Sequence, residues 1–269
     1  MTLASTTCVH PWQRGDGYER YMGRWSRQLA PPFLRWLAAE PARRWLDVGC
    51  GTGALSAAVL NECAPRSVTG VDPSEGFLHI ARSSLGMRMA CHRASADDLP
   101  LPDSSVDVVV SGLVLNFVPD VSAALGEMVR VTVDGGLVGA CVWDYAGKMD
   151  LIRFYWDAAA QLGTTAPGQH QGERFPLCNP AALLAAFTGA GLHSVEVSAI
   201  ELPMCFADFD DYWQPFLAGQ GQAPAHAMSL GAPARDRLRE LLRDRLPAQR
   251  DGTLQLAARA WMVRGTIVK

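Results

Sequence analysis

Two carboxylates and three glycines stand at spacings that suit a nucleoside-containing cofactor. In "RRWLDVGCGTGALSAAVL", Arg43 to Leu60, a short apolar stretch runs through Gly49, Gly51 and Gly53 into an alanine-rich segment. Such glycines admit a tight turn and let the backbone approach a ligand at a helix N-terminus. Gly49, Gly51 and Ala54 satisfy G-x-G-x-x-G/A, the dinucleotide pattern, whose chemistry is hydride transfer. Asp47 with the three glycines also reads D-x-G-x-G-x-G, which points to S-adenosylmethionine and methyl transfer. A carboxylate two residues before the first glycine would repel a doubly charged pyrophosphate at that helix N-terminus. The sulfonium and ammonium of S-adenosylmethionine tolerate or favour it. The plain structural alternative is that Asp47 caps loop amides. Asp72 follows Gly53 by 19 residues. A carboxylate there accepts from both ribose hydroxyls, each charge-assisted bond worth roughly 1.5–3 kcal/mol. Both cofactors need this acid, and as a strand-end residue before Pro73 it has a purely structural alternative.

The elements that position these groups alternate. Trp45 to Val48 reads as a buried strand and Ala54 to Glu62 as a helix. "SVTGVD" is a second strand ending at Asp72, followed by a helix from Ser74 to about Ser83. "MRMACH" is a weaker third strand and "VDVVVSGLVL" a strongly β-branched fourth. Asp120 or Ser122 caps a helix running to Val131, Asp134 to Gly136 reads as a turn, and "LVGACVW" is a fifth strand. Continuous apolar strands between helices predict an α/β fold with a parallel sheet covered on both faces. Further on, Met149 to Leu162 reads as an aromatic-rich helix, and Asn179 before Pro180 starts another that ends at Gly189 or Gly191. "HSVEVSAI" alternates as a strand, "RDRLRELLRDRL" is an amphipathic helix of mixed charge, and "LQLAARAWMVRGTI" is a last strand at or near a sheet edge.

Composition removes several classes of function. A chain of 269 residues fits one enlarged domain better than two equal ones. With 49% apolar and 19% charged residues it is a globular sequence. The net charge of -3 gives no electrostatic case for nucleic acid or acidic membranes. The seven cysteines are scattered without a C-x-x-C, which argues against zinc, a disulfide framework and an iron–sulfur cluster. The first residues, "MTLASTTCVHPW", show no basic and apolar signal regions, and no apolar run reaches a membrane span. The expected setting is a reducing cytoplasm. No G-x-x-x-x-G-K-[ST] is present, so a P-loop NTPase is excluded.

Asp47 to Gly53, "DPS" at Asp72, the "ASADDLP" stretch and "SGLVLNFVPD" after the fourth strand together resemble class I S-adenosylmethionine-dependent methyltransferases. The branch they are most similar to is the small-molecule one of ubiquinone and menaquinone biosynthesis, over about Tyr18 to Trp143. The resemblance implies a Rossmann-like class I methyltransferase fold: a mostly parallel seven-stranded sheet, helices on both faces and a lid from C-terminal insertions. It implies S-adenosyl-L-methionine as cofactor, held by Asp47, Gly49, Cys50, Gly51, Gly53, Asp72, Pro73, Ser95, Ala96 and Leu113. Ser95 stands where such proteins have an acid for the adenine amino group, which leaves adenine to backbone contacts and packing by Pro73 or Leu99. Leu115, Asn116 and Phe117 stand where many have L-H-H, so a histidine base is absent at that point. "APPF" at Ala30 lacks both the composition and the position of an amino-methyltransferase signature.

In "YERYMGRWSR", Tyr21, Arg24 and Trp25 share a face if helical. Arg24 is then expected to pair with the cofactor's methionine carboxylate while the rings close the pocket; the alternative packs Trp25 on the core and leaves Arg24 solvated. The lid is expected after strand five and between the last two strands. Trp143, Phe154, Trp156, Arg174, Tyr212 and Trp213 are its candidate substrate contacts, and Asp144, Tyr145 and His170 its candidate catalytic groups. An aromatic cap favours a small planar or apolar acceptor over nucleic acid, although any one ring is more often core. The expected division is 1–42 as a helical cover, 43–145 as the cofactor core, 146–253 as lid with the sixth strand, and 254–269 as the final strand. Two other readings stay open: an NAD(P)-dependent oxidoreductase, and a cofactor-binding module without activity of its own.

Overall fold

The computed structural model describes residues 19–165, 175–218 and 221–269. Seven strands form one sheet in the order β3-β2-β1-β4-β5-β7-β6. They are β1 (Arg44–Val48), β2 (Ser67–Asp72), β3 (Ala90–Arg93), β4 (Val106–Gly112), β5 (Thr132–Trp143), β6 (His193–Phe206) and β7 (Leu254–Thr266). The first five strands pair in parallel, and β7 lies antiparallel between β5 and β6. Dinucleotide-binding sheets of the common 3-2-1-4-5-6 order lack such an inserted strand. The expected α/β fold, with seven strands mostly parallel in its first part, is what the chain adopts.

Helices cover both faces. On one side lie α1 (Arg24–Leu37), α2 (Ala54–Glu62) and α3 (Glu75–Leu85), whose apolar residues join Trp45 and Val110 in one core. On the other, α4 (Val121–Val131) and α6 (Pro180–Gly189) pack Leu125, Met128, Leu183 and Phe187 against Leu46, Val48 and Val109. The helix α5 (Asp150–Gln161) and the later α7 (Phe209–Trp213), α8 (Gln222–Ser229) and α9 (Ala232–Arg245) extend the first core. The caps follow the sequence: Asp120 accepts from the Ala123 amide at 2.9 Å and Asn179 from Ala182 at 2.8 Å.

One expected turn is strand instead. Asp134 to Gly136 lies within β5, and Gly135 reaches its positive φ of 69° there. Between the pairs Val106–Thr132 and Val108–Leu137, β4 advances two residues and β5 five, so the extra length bulges out of the ladder. The bulge is held because Gly135 donates to the Ile267 carbonyl at 3.0 Å and Ile267 donates back to Gly136 at 2.9 Å. That partner is far along the chain, so no local pattern reveals it.

Candidate active site

The chain runs outward from β1 to β2 and β3, then returns to β4 on the other side of β1. This reversal leaves a crevice at the carboxyl ends of β1 and β4, where open α/β sheets bind ligands. A cleft of about 640 Å³ lies there, within the range of small-molecule sites. Its lining includes Asp47, Gly49, Cys50, Gly51, Asp72, Pro73, Ser95, Ala96 and Leu113, all expected as cofactor contacts.

The glycine loop is shaped by its neighbours. Gly49 and Cys50 donate to the Val71 carbonyl at 2.7 and 3.0 Å, and Gly53 donates to Cys50 at 2.9 Å. Gly51 donates to Asp72 Oδ2 at 3.0 Å, and Ser74 donates to Oδ1 at 2.8 Å. Asp72 thus ties β2 to the loop with both oxygens and keeps lone pairs for a ligand. Gly49 has φ 72°, and a Cβ on it would meet the Val114 side chain at 2.5 Å. Gly51, with φ 54°, would meet nothing within 4 Å, so the backbone there faces open cleft. Gly53 does not line the cleft. Its φ of 89° starts α2, and a Cβ there would meet Leu85 of α3 at 2.9 Å. Its role is close helix packing, which corrects the expectation of a cofactor contact.

Asp47 alternates with the core residues Leu46 and Val48 and therefore points to the opposite face, toward α2. There Ser56 donates its hydroxyl to Asp47 Oδ2 at 2.6 Å. Oδ1 is buried and has no hydrogen-bond partner among the described residues. Burial pushes the Asp47 carboxyl up to about 7, opposed by the Ser56 bond and reinforced by the charge of Asp72. Burial also raises Asp72, against the Ser74 and Gly51 amides. Asp47 is held by Ser56, in the first turn of α2, through both its hydroxyl and its backbone amide. It is a buried acid with one oxygen left over.

Opposite this loop, the segment after β3 carries Ser95, Ala96 and Asp97. Ser95 donates its hydroxyl to Asp97, a cleft acid that the sequence reading passed over. Glu127 and Arg130 of α4 brace the segment: the Leu99 amide donates to Glu127 at 2.8 Å, and Arg130 donates to the Leu99 and Leu101 carbonyls at 3.1 and 2.9 Å. Leu99 packs into the α4-side core with Val106 and is not in the cleft wall, so it gives adenine no packing surface. Beyond β4, Leu113 adopts a left-handed φ of 64°, held by its amide on the Cys141 carbonyl at 2.8 Å. Strain of this kind in a non-glycine residue is kept at sites that need a fixed backbone. Phe117, which occupies the aligned position of a missing histidine, lines the cleft with Trp143 and Tyr145.

Several candidates fall elsewhere. Ser26, Leu29 and Ala30 of α1, with Met22 from the turn before it, meet the cleft; Tyr21, Arg24 and Trp25 do share a face, but it turns toward β6 and α7. Arg24 pairs with Asp211 at 3.1 Å and lies over the Trp25 and Phe206 rings at 4.3 and 4.6 Å, so its charge is engaged away from the cleft. Asp144 is buried in an ion pair with Arg259, at 2.7 Å from Nε and 2.5 Å from Nη2, and accepts from Gly147. It secures the turn after β5 and takes no part in the cleft. Phe154, Trp156, Tyr212 and Trp213 also lie outside the lining. Phe154 sits under Arg153, Trp156 packs on His226, and Tyr212 donates to the Leu151 carbonyl at 2.9 Å. These rings belong to the core on that side of the sheet. Trp143 and Tyr145 alone among the expected lid and catalytic groups line the cleft, and Tyr145 packs on Phe175 at 5.1 Å between centroids. His170 and Arg174 lie outside the described residues.

Residues 46–139 match the family described as a methyltransferase domain. The chain is 38% identical over 115 residues to a malonyl-[acyl-carrier protein] O-methyltransferase of Serratia marcescens, covering 42% of this chain and 43% of that protein. It is 34% identical over 160 residues to the like-named protein of Geobacter sulfurreducens, covering 59% and 58%. The chain thus spans about half the length of these relatives. Its fold is similar to that of phosphoethanolamine N-methyltransferase 2 of Haemonchus contortus, in complex with phosphomonomethylethanolamine and S-adenosylhomocysteine. That similarity has a TM-score of 0.58 at 17% identity, over 95% of this chain and 57% of the other.

Proposed function

We propose that this chain, which carries a class I methyltransferase domain, transfers a methyl group from S-adenosylmethionine to a small molecule. The observation that carries the reading is the state of the glycine loop. The amides of residues 49, 50, 51 and 53 all donate within the protein, so they offer no cradle to a pyrophosphate. Next to the loop Asp47, a residue of the cleft lining, keeps a buried carboxylate oxygen without a partner among the described residues, which suits a cation. Both facts disfavour a nicotinamide dinucleotide and an oxidoreductase.

The residues fit the cofactor. Asp72 would hold the ribose, Gly51 lets the backbone come close, and Asp47 would meet the amino-acid end. Pro73, Ala96 and Phe77 would border the adenine, with the Ser95–Asp97 pair beside it. When bound, S-adenosylmethionine supplies an already activated methyl group for in-line displacement. The chain's own task is then alignment, which supplies several kcal/mol and up to roughly 7–11 in ideal cases. Met22, Leu29, Trp143 and Phe117 give an apolar wall that excludes water from the acceptor side. Tyr145 is the group we retain for orienting or deprotonating the acceptor, and His170 and Arg174 remain proposals for the same side.

Isothermal calorimetry with S-adenosylmethionine and with NADH tests the cofactor; saturable binding of the second alone would overturn the reading. A panel of carboxylates, phenols, quinones and amines tests the acceptor. Carboxylates come first, since the two bacterial relatives bear the names of malonyl O-methyltransferases and a carboxylate needs no base. Tyr145→Phe should lower turnover on phenols more than on carboxylates if its hydroxyl moves a proton.

A further inference from the structure

Asp47 is used by the reading above only as a charge. This residue of the cleft lining is 1% exposed, its Oδ2 takes the Ser56 hydroxyl at 2.6 Å, and its buried Oδ1 has no hydrogen-bond partner among the described residues. A carboxylate so buried, with half of its acceptor capacity unmet, has two stable states: protonated, or ionised beside a cation. We propose that ligand binding here is coupled to proton release, Asp47 giving up its proton as Oδ1 takes the ammonium of the ligand's amino-acid end. This rests on the reading of the cleft as an S-adenosylmethionine site.

Among the described residues the one cation of the cleft wall is Arg93, which donates to the Pro73 carbonyl at 3.2 Å. Asp72 faces Asp47 from β2, Cys91 from β3, Cys141 from β5 and Cys50 from the glycine loop; α2 contributes the neutral Ser56. From α1 and the turn before it the cleft receives Met22, Ser26, Leu29 and Ala30, none of them charged. Asp72 and the three cysteines are all acids, and each, when ionised, makes the ionisation of Asp47 harder. The three thiols stay protonated, since burial raises all of them, Cys141 up to about 12. Burial therefore holds Asp47 protonated over part of the neutral range, raised to about 7. An ammonium placed against Oδ1 reverses this balance, because an opposite charge within contact favours the ionised form. The proton leaves to solvent, and the new bond is Oδ1 to the ammonium.

The test is calorimetry of S-adenosylhomocysteine at pH 6 and pH 8, each in two buffers of different ionisation heat. At pH 6 the heat should differ between buffers by the release of most of one proton per ligand, and at pH 8 by a small fraction. Affinity should rise about tenfold from pH 6 to pH 8. 5′-Methylthioadenosine, which lacks the ammonium, should bind with no such proton release. Asp47→Asn should abolish the linkage. Should that variant not fold, Ser56→Ala moves the window to higher pH by removing the bond that favours the ionised form. Equal heats in both buffers at pH 6, or the same release with methylthioadenosine, would overturn the coupling while leaving the cofactor reading in place. No binding of S-adenosylhomocysteine at either pH would overturn the cofactor reading and the coupling with it.

Discussion

The cleft and the aromatic cluster beside it are built from the same kinds of residue and do opposite things. In the cluster, Tyr21, Tyr155, Tyr212 and Phe216 form a continuous set of ring contacts between 4.6 and 5.5 Å. Some of its polar atoms close on one another: Tyr155 shares a 2.8 Å bond with His226, whose other nitrogen meets the Thr164 carbonyl at 2.9 Å, and Arg24 meets Asp211; those left without a partner, on Arg24, Trp25 and Trp156, are N–H donors. In the cleft, Asp47 keeps an open oxygen and Asp72 is arranged to take more than it has. The difference shows that residue type does not mark a site. What marks it is a carboxylate oxygen left unmet, where the cluster leaves only N–H donors.

The comparison can be broken by experiment. Phe216→Ala removes a fully buried ring from the cluster and should cost ~3–5 kcal/mol in denaturant unfolding. Measured at a temperature where the variant is folded, its affinity for S-adenosylhomocysteine should stay within about twofold. An equal loss of both would show that the two regions are one. The next effect is a pH dependence of the ligand-free protein. Asp47 has a folded value raised to about 7, so between about pH 4 and 7 the native state holds a proton that the unfolded chain has released. Stability should therefore fall as pH rises through that window, by ~4 kcal/mol at most, and level off above it. Asp47→Asn should flatten the profile, whereas no cluster variant should.

Gly49→Ala places a methyl group against Val114 in a left-handed backbone and should cost ~1–3 kcal/mol in stability together with cofactor affinity. Asp72→Ala should weaken S-adenosylmethionine binding at least about tenfold in calorimetry, ~1.4 kcal/mol; an unchanged affinity would remove the ribose assignment. The smallest effect belongs to Arg24→Ala. Its pair with Asp211 is about one-third exposed on each side, so ~1 kcal/mol or less of stability is expected, with affinity within about twofold. A tenfold loss of affinity would return Arg24 to the cofactor.

What was legible in the sequence was local. Asp47, the glycines and Asp72 sit at strand ends whose positions follow from the strand itself, and the alternation of β1 tells that Asp47 and Leu46 face apart. The i, i+3, i+4 spacing rightly put Tyr21, Arg24 and Trp25 on one face. It does not say which neighbour covers that face, and β6 with α7, about 180 residues onward, does so. Asp144 was misread for the same reason, since Arg259 pairs with it across 115 residues. The Ser95–Asp97 contact could have been found, because two polar residues two apart after a strand face the same way. Phe117 was visible too, but only as the place where a histidine is missing.

The antiparallel strand β7 has a further consequence in time. Residues 137–143 of β5 pair with residues 260–266, and β6 meets the rest of the sheet only through β7. As the chain emerges from a ribosome, the five parallel strands and the glycine loop are complete more than a hundred residues before β7 appears. During that interval β5 is an open edge of unpaired backbone, and the β6 segment has no strand to pair with. The cofactor half of the protein has to hold together before the half that closes it has been made, and anything that lengthens the wait exposes that edge to other chains.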